Sequence, residues 1–476
     1  MRPLAALPIV MALAACAAGP DYRPPAPLLT PDRTSLTAAD GNAAVNANAL
    51  PDSWWRLFND PALDTLVERA LAHNSDLRIT SANLQRARAL LLEAGAGRLP
   101  TSNIQASVTE ARSAPNQNGT GKVSDFYSVG FDASYEVDLF GGVGRSIEAA
   151  RGDVGAAQAE LDAARVSVAA ETARTYASAC GFGLQAEVAR ETAKLQQQTL
   201  DLTERLLQGG RATRREVNQV TVLVEQASAQ IAAFEAERRA ALYALAVLTG
   251  ETPAAVDSAA SRCTMVPIIA QPIPIGDGQA LLARRPDIRA AERRLAADTA
   301  RIGVATAALY PSITILGSIG LGAGGIGDLG KDKSFSWSLG PLISWNFPFN
   351  GAARARVKQN EAIADGSLAS FDKAVLTGLQ ETQQGLARLA GALDQEAALR
   401  RALAASEDAA FLSRKRFDHG ADSFLDLLDS QRTLAGARSS LAAAQANLAE
   451  AQIALFKALG GGWSGAGRPT RPGQRG

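Results

Sequence analysis

Arg98-Leu99-Pro100-Thr101-Ser102 recurs as Ala308-Leu309-Tyr310-Pro311-Ser312, each closing a helical run and opening an alternating one. The same offset of about 210 residues relates three further pairs of landmarks, far beyond the period of a solenoid repeat. These are Phe140-Gly141-Gly142 with Phe349-Asn350-Gly351, Gly209-Gly210-Arg211-Ala212 with His419-Gly420-Ala421-Asp422, and Leu248-Thr249-Gly250 with Leu459-Gly460-Gly461. Four landmarks in one order at one spacing imply two copies of one unit. Each copy reads helix, strand, strand, long helix, turn, helix.

The strands carry the sharpest local signal. From Tyr127 to Leu139 the odd positions are Tyr127, Val129, Phe131, Ala133, Tyr135, Val137 and Leu139, and the even positions are polar or glycine. The second copy repeats this period of two with Phe335, Trp337, Leu339, Pro341, Ile343, Trp345 and Phe347. Each preceding strand alternates more weakly. An alternating strand suits a soluble sandwich, or a barrel with lipid outside and water inside. Length decides for the barrel, since about 10 to 13 residues is what a tilted strand needs to cross hydrocarbon. Four strands cannot close alone, and hydrocarbon leaves no backbone donor unpaired, so the membrane reading demands other copies of the chain. Beyond the first residues, no stretch has the roughly 20 consecutive apolar residues of a spanning helix.

The helices are long. From Gly144 to Leu207 nothing interrupts the pattern, roughly 95 Å at helical rise, and Ala352 to Phe417 is comparable. A shorter helix follows each turn. In the last one Leu427, Leu434, Leu441, Leu448 and Leu455 recur every seventh residue, and in its counterpart Val217, Val220, Val224, Ala227, Ile231 and Phe234 follow three-four spacing, the patterning of coiled coils.

At the start, an apolar run from Pro3 to Ala15 has the length of a signal peptide's central region and ends in Leu13-Ala14-Ala15-Cys16. Small residues before a cysteine resemble a bacterial lipobox, which implies removal of residues 1–15 and acylation of Cys16; cleavage after Ala-x-Ala is the plainer alternative. Ala17 in place of aspartate implies sorting to the outer membrane. Cys180 and Cys263 then stand in a compartment that permits disulfides; their pairing is not readable from sequence, and they are taken as free, structural thiols.

Composition excludes much else. The 48 basic side chains balance 48 acidic ones, which gives nucleic acid nothing to bind. Two histidines, His73 and His419, provide no metal set and no base beside a nucleophile, so the chain is expected to be no enzyme and to hold no metal or cofactor.

The expected organisation is a signal segment 1–15, a lipid-anchored segment 16–60, a first copy 61–250 with strands at 101–112 and 126–140 and a tip turn at 208–213, a Pro-rich linker 251–276, a second copy 277–460 with strands at 312–322 and 335–348 and a tip turn at 418–423, and a tail 461–476.

The chain resembles the outer membrane factors of tripartite efflux systems, in the lipoprotein branch of the TolC-like channels. The resemblance rests on Cys16 with Gly19-Pro20-Asp21-Tyr22, the run Leu281-Leu282-Ala283-Arg284-Arg285-Pro286-Asp287-Ile288-Arg289-Ala290-Ala291-Glu292-Arg293, and the ending Lys457-Ala458-Leu459-Gly460-Gly461-Gly462-Trp463. It implies an α+β membrane protein. Three copies would form a 12-stranded transmembrane β-barrel continuous with a 12-helix periplasmic α-barrel, closed at its inner tip. It also implies a passive exit duct for small molecules, working with a periplasmic adaptor and an inner-membrane pump of the resistance-nodulation-division class. The resemblance carries the gate to Asp429, nine positions past Gly420, and to Arg432, with Leu425 and Asp426 beside them; in the first copy it carries Glu216 and Gln219. Adaptor docking falls on Gly209, Gly210, Ala212, Thr213, Gly420, Ala421, Asp422 and Ser423. Two alternatives stand beside it: the channel of a type I protein secretion system, and a lipid-anchored coiled-coil scaffold without a pore. Arg284 to Asp287 also reads as an ordinary helix start, with Pro286 at the first position and Asp287 complementing the helix dipole.

Overall fold

The computed structural model describes residues 18–25, 43–112, 114, 121–276, 284–345 and 351–461. Cys16, the expected signal segment, the centre of the first strand-connecting loop, Leu281 to Ala283 and the tail from Gly462 lie outside the described residues.

In order, the chain forms β1 (Val45–Asn46), a 3-10 turn (Trp54–Phe58), α1 (Pro61–His73), α2 (Ser75–Ala96), β2 (Thr101–Arg112), β3 (Val123–Val137), α3 (Gly142–Gln208), α4 (Arg214–Leu248), α5 (Ser258–Arg262), β4 (Ile273–Pro274), α6 (Pro286–Ala307), β5 (Ser312–Ala323), β6 (Phe335–Ser344), α7 (Gly351–Asp418) and α8 (Phe424–Ala458). The chain divides into two compact units, residues 1–26, 84–157 and 290–372, and residues 27–83, 158–289 and 373–476.

The first unit carries a four-stranded antiparallel sheet in the order β2-β3-β5-β6. β3 ends at Val137, short of the position 140 expected from alternation. The reason is Asp138, whose carboxylate accepts hydrogen bonds from the amides of Val143 and Gly144 at 3.0 and 2.7 Å. That carboxylate serves the start of α3, and Gly141 at φ 77° turns the chain into the helix. Ring stacking of Phe140 on Tyr310 at 4.7 Å joins the two copies here. Glycine lets the helices approach closely: a Cβ on Gly152 would lie 2.8 Å from that of Ala297.

The second unit holds the main core. Trp54 stacks on Phe456 at 4.7 Å, and Leu63, Leu66, Ala173, Cys180, Leu245, Ile273, Leu386, Leu389 and Ile453 close around them, all essentially out of water. This core draws on α1, α3, α4, α7, α8 and the linker, so burial of apolar area ties both copies together. The linker is seated by polar contacts also: Ile269 and Gln452 exchange hydrogen bonds of 3.0 and 2.8 Å, and β4 pairs with β1.

One expectation is corrected. Cys180 and Cys263 are not free thiols but a disulfide, with Cα atoms 4.9 Å apart. The fold brings the linker back onto α3, which a sequence separation of 83 residues conceals.

Candidate functional site

The sheet sorts its side chains by chemistry. Because directly opposed residues of an antiparallel pair share a face, the register makes continuous rows: Ile104, Phe131, Ile319 and Trp337 form one, and Ala106, Val129, Leu321 and Phe335 the next. The opposite face carries Asn103, Asp132, Ser318 and Ser338, laced by Gln105 to Asp132, Ser107 to Ser128 and Ser318 to Ser338, each at 2.8 Å. The apolar face is uncovered, with Ile104 74% exposed and Trp337 69%, while on the polar face Asn103 and Ser338 are exposed and Asp132 and Ser318 half buried. A contiguous apolar face left open next to a hydrogen-bonded polar one suits lipid on one side and water on the other. No described helix is long and apolar enough to cross a membrane. β2 and β6 are edges without a partner among the described residues.

The hairpin tips are built twice in the same way. At the end of α3, Gly210 adopts φ 71° while the amide of Arg211 returns to the carbonyl of Leu206 at 2.8 Å; at the end of α7, Gly420 adopts φ 73° while Ala421 returns to Arg416 at 2.8 Å. Glycine is needed at both, since a side chain resists that left-handed conformation. Thr213 and Ser423 then cap α4 and α8. Each hydroxyl accepts from the amide three residues on, and the carboxylate of Glu216 or Asp426 reaches back to the capping residue, a capping box in both copies. Hydrogen bonds from the Ser423 hydroxyl and amide, with Arg416 nearby, hold the Asp426 carboxyl below its ordinary range. Arg416 itself pairs with Asp422 at 2.6 Å.

The residues expected at the gate have different partners in the fold. Glu216 and Asp426 are occupied in capping. Leu425, Asp429 and Arg432 lie exposed on one helical stripe of α8, at i, i+4 and i+7. Among the described residues the side chains of Asp429 and Arg432 form no ion pair or hydrogen bond, with each other or elsewhere. Arg432 instead lines a cavity of about 360 Å³ with Gln196, Gln226, Gln230 and Phe234. Gln219 is half buried, its carbonyl oxygen without a partner. Of the docking residues, Gly209, Gly210, Thr213, Gly420, Ala421 and Ser423 are exposed, and Ala212 and Asp422 are half buried. Below the tips Leu200, Val220 and Leu428 bury together, fastening α3, α4 and α8.

One residue of importance was readable only as part of a helix start. Arg285, just before Pro286 opens α6, is almost wholly buried and bonds Asp287 at 2.6 Å, Glu381 of α7 at 2.7 Å and the Ala458 carbonyl of α8 at 2.8 Å. Burial alone would lower its pKa; Asp287 and Glu381 overcome that and hold the guanidinium above its ordinary value.

The sequence matches the family described as outer membrane efflux protein over residues 66–251 and 278–461. The chain belongs to the outer membrane efflux protein family. The first matched span contains α2, β2, β3, α3 and α4, and the second contains α6, β5, β6, α7 and α8. Among its relatives are the toluene efflux pump outer membrane protein TtgF of Pseudomonas putida, 31% identical with 95% of each chain covered, and the outer membrane protein OprJ of Pseudomonas aeruginosa, 31% identical over 97% of this chain and 96% of that one. The solved outer-membrane channel OprN superposes with a TM-score of 0.88 at 34% identity, covering 94% of this chain and all of that one. The chain is an outer-membrane exit duct for efflux, in a family of channels rather than enzymes.

Proposed function

We propose that three copies close their four-stranded sheets into a 12-stranded transmembrane barrel, joined to a 12-helix periplasmic tunnel that gates at the hairpin tips and receives small molecules from an inner-membrane pump through a periplasmic adaptor. The observation that carries the reading is the sheet, with an open apolar face, a hydrogen-bonded polar face and two edges unpaired among the described residues. In hydrocarbon each unpaired amide costs several kcal/mol, roughly the cost of an unmade hydrogen bond in an apolar medium, so edge must meet edge. Pairing β6 of one copy with β2 of the next satisfies both edges and repeats around a threefold axis.

At the tip, three Asp429 side chains brought towards one axis would repel unless hydrated or bridged by cations, and Arg432, without a partner among the described residues, supplies the counter-charge to a neighbouring copy. The exposed turns at Gly210 and Gly420 are the surface offered to the adaptor. Acylation of Cys16 fits the described chain that follows it. The Ala18 amide donates to the Phe140 carbonyl at 3.0 Å, and Arg145 grips Asp21 at 2.5 Å, so residues two to five after Cys16 are held at the foot of β3, where a lipid anchor belongs.

The test is export. A strain lacking this chain becomes sensitive to toxic small molecules pumped by its partner transporter, and the wild-type chain restores resistance. Restoration by a chain whose β6 edge has been interrupted by Ser338→Pro and Ser336→Pro would contradict the barrel, because each substitution removes a ladder amide.

A further inference from the structure

The disulfide has a place in the fold that efflux chemistry does not explain. Cys180 lies in α3, fully buried among Tyr176, Ala177 and Ala179 of its own helix and the core around them. Cys263 follows α5 in the linker and is half buried. The linker comes so close to α3 that a Cβ on Gly183 would stand 2.4 Å from the Cys263 carbonyl oxygen, a contact only glycine permits. From α4, Arg238 donates to the carbonyl oxygens of Ser261 and Cys263. From α1, Arg69 pairs with Asp257, the residue that caps α5, at 3.1 Å.

The covalent loop closed by this bond contains the distal part of α3, the turn at Gly210 and all of α4. The first hairpin is therefore cross-linked at its base. The second hairpin, α7 and α8, is held at its base by the Arg285 ion pairs, and no described disulfide touches it. Two copies of one unit thus fasten their hairpins by different devices, one covalent and one ionic.

We propose that the Cys180–Cys263 disulfide is a covalent lock, set during assembly, that holds linker residues 258–269 on α3 and closes the base of the first hairpin. It forms by thiol–disulfide exchange with a protein disulfide. One cysteine sulfur attacks the donor S–S bond, the other displaces the mixed disulfide, and the donor leaves as a dithiol carrying two electrons and two protons. Opening runs in reverse; Cys180 is fully buried whereas Cys263 is half buried and lines a cavity, which places the attack on the Cys263 sulfur. The sulfur expelled is then that of Cys180, whose thiolate is disfavoured in an apolar core, so the lock is slow to open once made.

Hydrogen exchange on the full chain, purified in detergent without reductant, tests this. Alkylation in denaturant should label neither cysteine before reduction and both after it. Reduction should speed exchange of the 258–269 amides about tenfold, while peptides around Ala173 in α3 and Leu242 in α4 keep their protection. The Cys263→Ser chain should exchange like reduced wild type and ignore reductant. Unchanged protection of 258–269 after verified reduction of wild type would overturn the lock, and so would alkylation of both cysteines in protein never reduced. Neither readout depends on conductance, so the lock and the duct fail separately.

Discussion

Asp426 and Asp429 stand three residues apart on one helix and do different work. Asp426 closes the capping box on Ser423, and its folded pKa is depressed. Its contribution is therefore complete above the unfolded carboxylate pKa of about 3.9 and is lost as pH falls through the lower folded value. Protection factors of the 423–428 amides, taken against the intrinsic exchange rate at each pH, should stay flat from pH 7 to 5 and fall only on further acidification; a fall near neutrality would contradict the assignment. Thr213→Ala should loosen the start of α4 by about 1 kcal/mol, read from the same measurement at 213–218. The pair Asp429→Ala with Arg432→Ala should instead raise closed-state conductance and leave both caps intact, and unchanged conductance would remove these two from the gate. Thr213 with Glu216 and Ser423 with Asp426 have the spacing of a capping box in the sequence itself. Spacing alone shows which acids can cap; it does not show whether an acid is free, and only the partners in the fold separate Asp426 from Asp429.

At the scale of elements, alternation located the strands because two-faced burial leaves a period of two in any environment. It overran at Asp138, since a polar residue in an alternating register looks the same whether it faces water or caps the next helix. The long helices were legible from the absence of any break in the helical pattern, and the shorter ones after the turns from their three-four spacing. Their close approach was not, because a glycine inside a helix looks like a defect until its neighbour is known. Gly152→Val should push α3 from Ala297 and lower the thermal midpoint, by about 1–3 kcal/mol of overpacking. Arg285 is the tighter joint. Arg285→Ala leaves Asp287, Glu381 and the Ala458 carbonyl without their shared donor, at about 2–4 kcal/mol, below the range for a fully buried pair because both carboxylates stay near half exposed. Arg285→Lys should recover only part of the lost thermal midpoint, since an ammonium cannot form the forked contact.

For the whole molecule, the twice-repeated element order was legible because four landmarks keep their order and spacing, and a repeat survives divergence that blurs any one motif. The cross-link between Cys180 and Cys263 was invisible for the opposite reason: it depends on where the linker returns, which no local pattern encodes. In the proposed reading the open edges at β2 and β6 are closed by copies of the same chain. Single-channel conductance in a planar bilayer, with the oligomeric mass of the same detergent-purified sample, tests that claim most directly. The account predicts a trimer giving small, cation-preferring, mostly closed events. A monomer without conductance would contradict it.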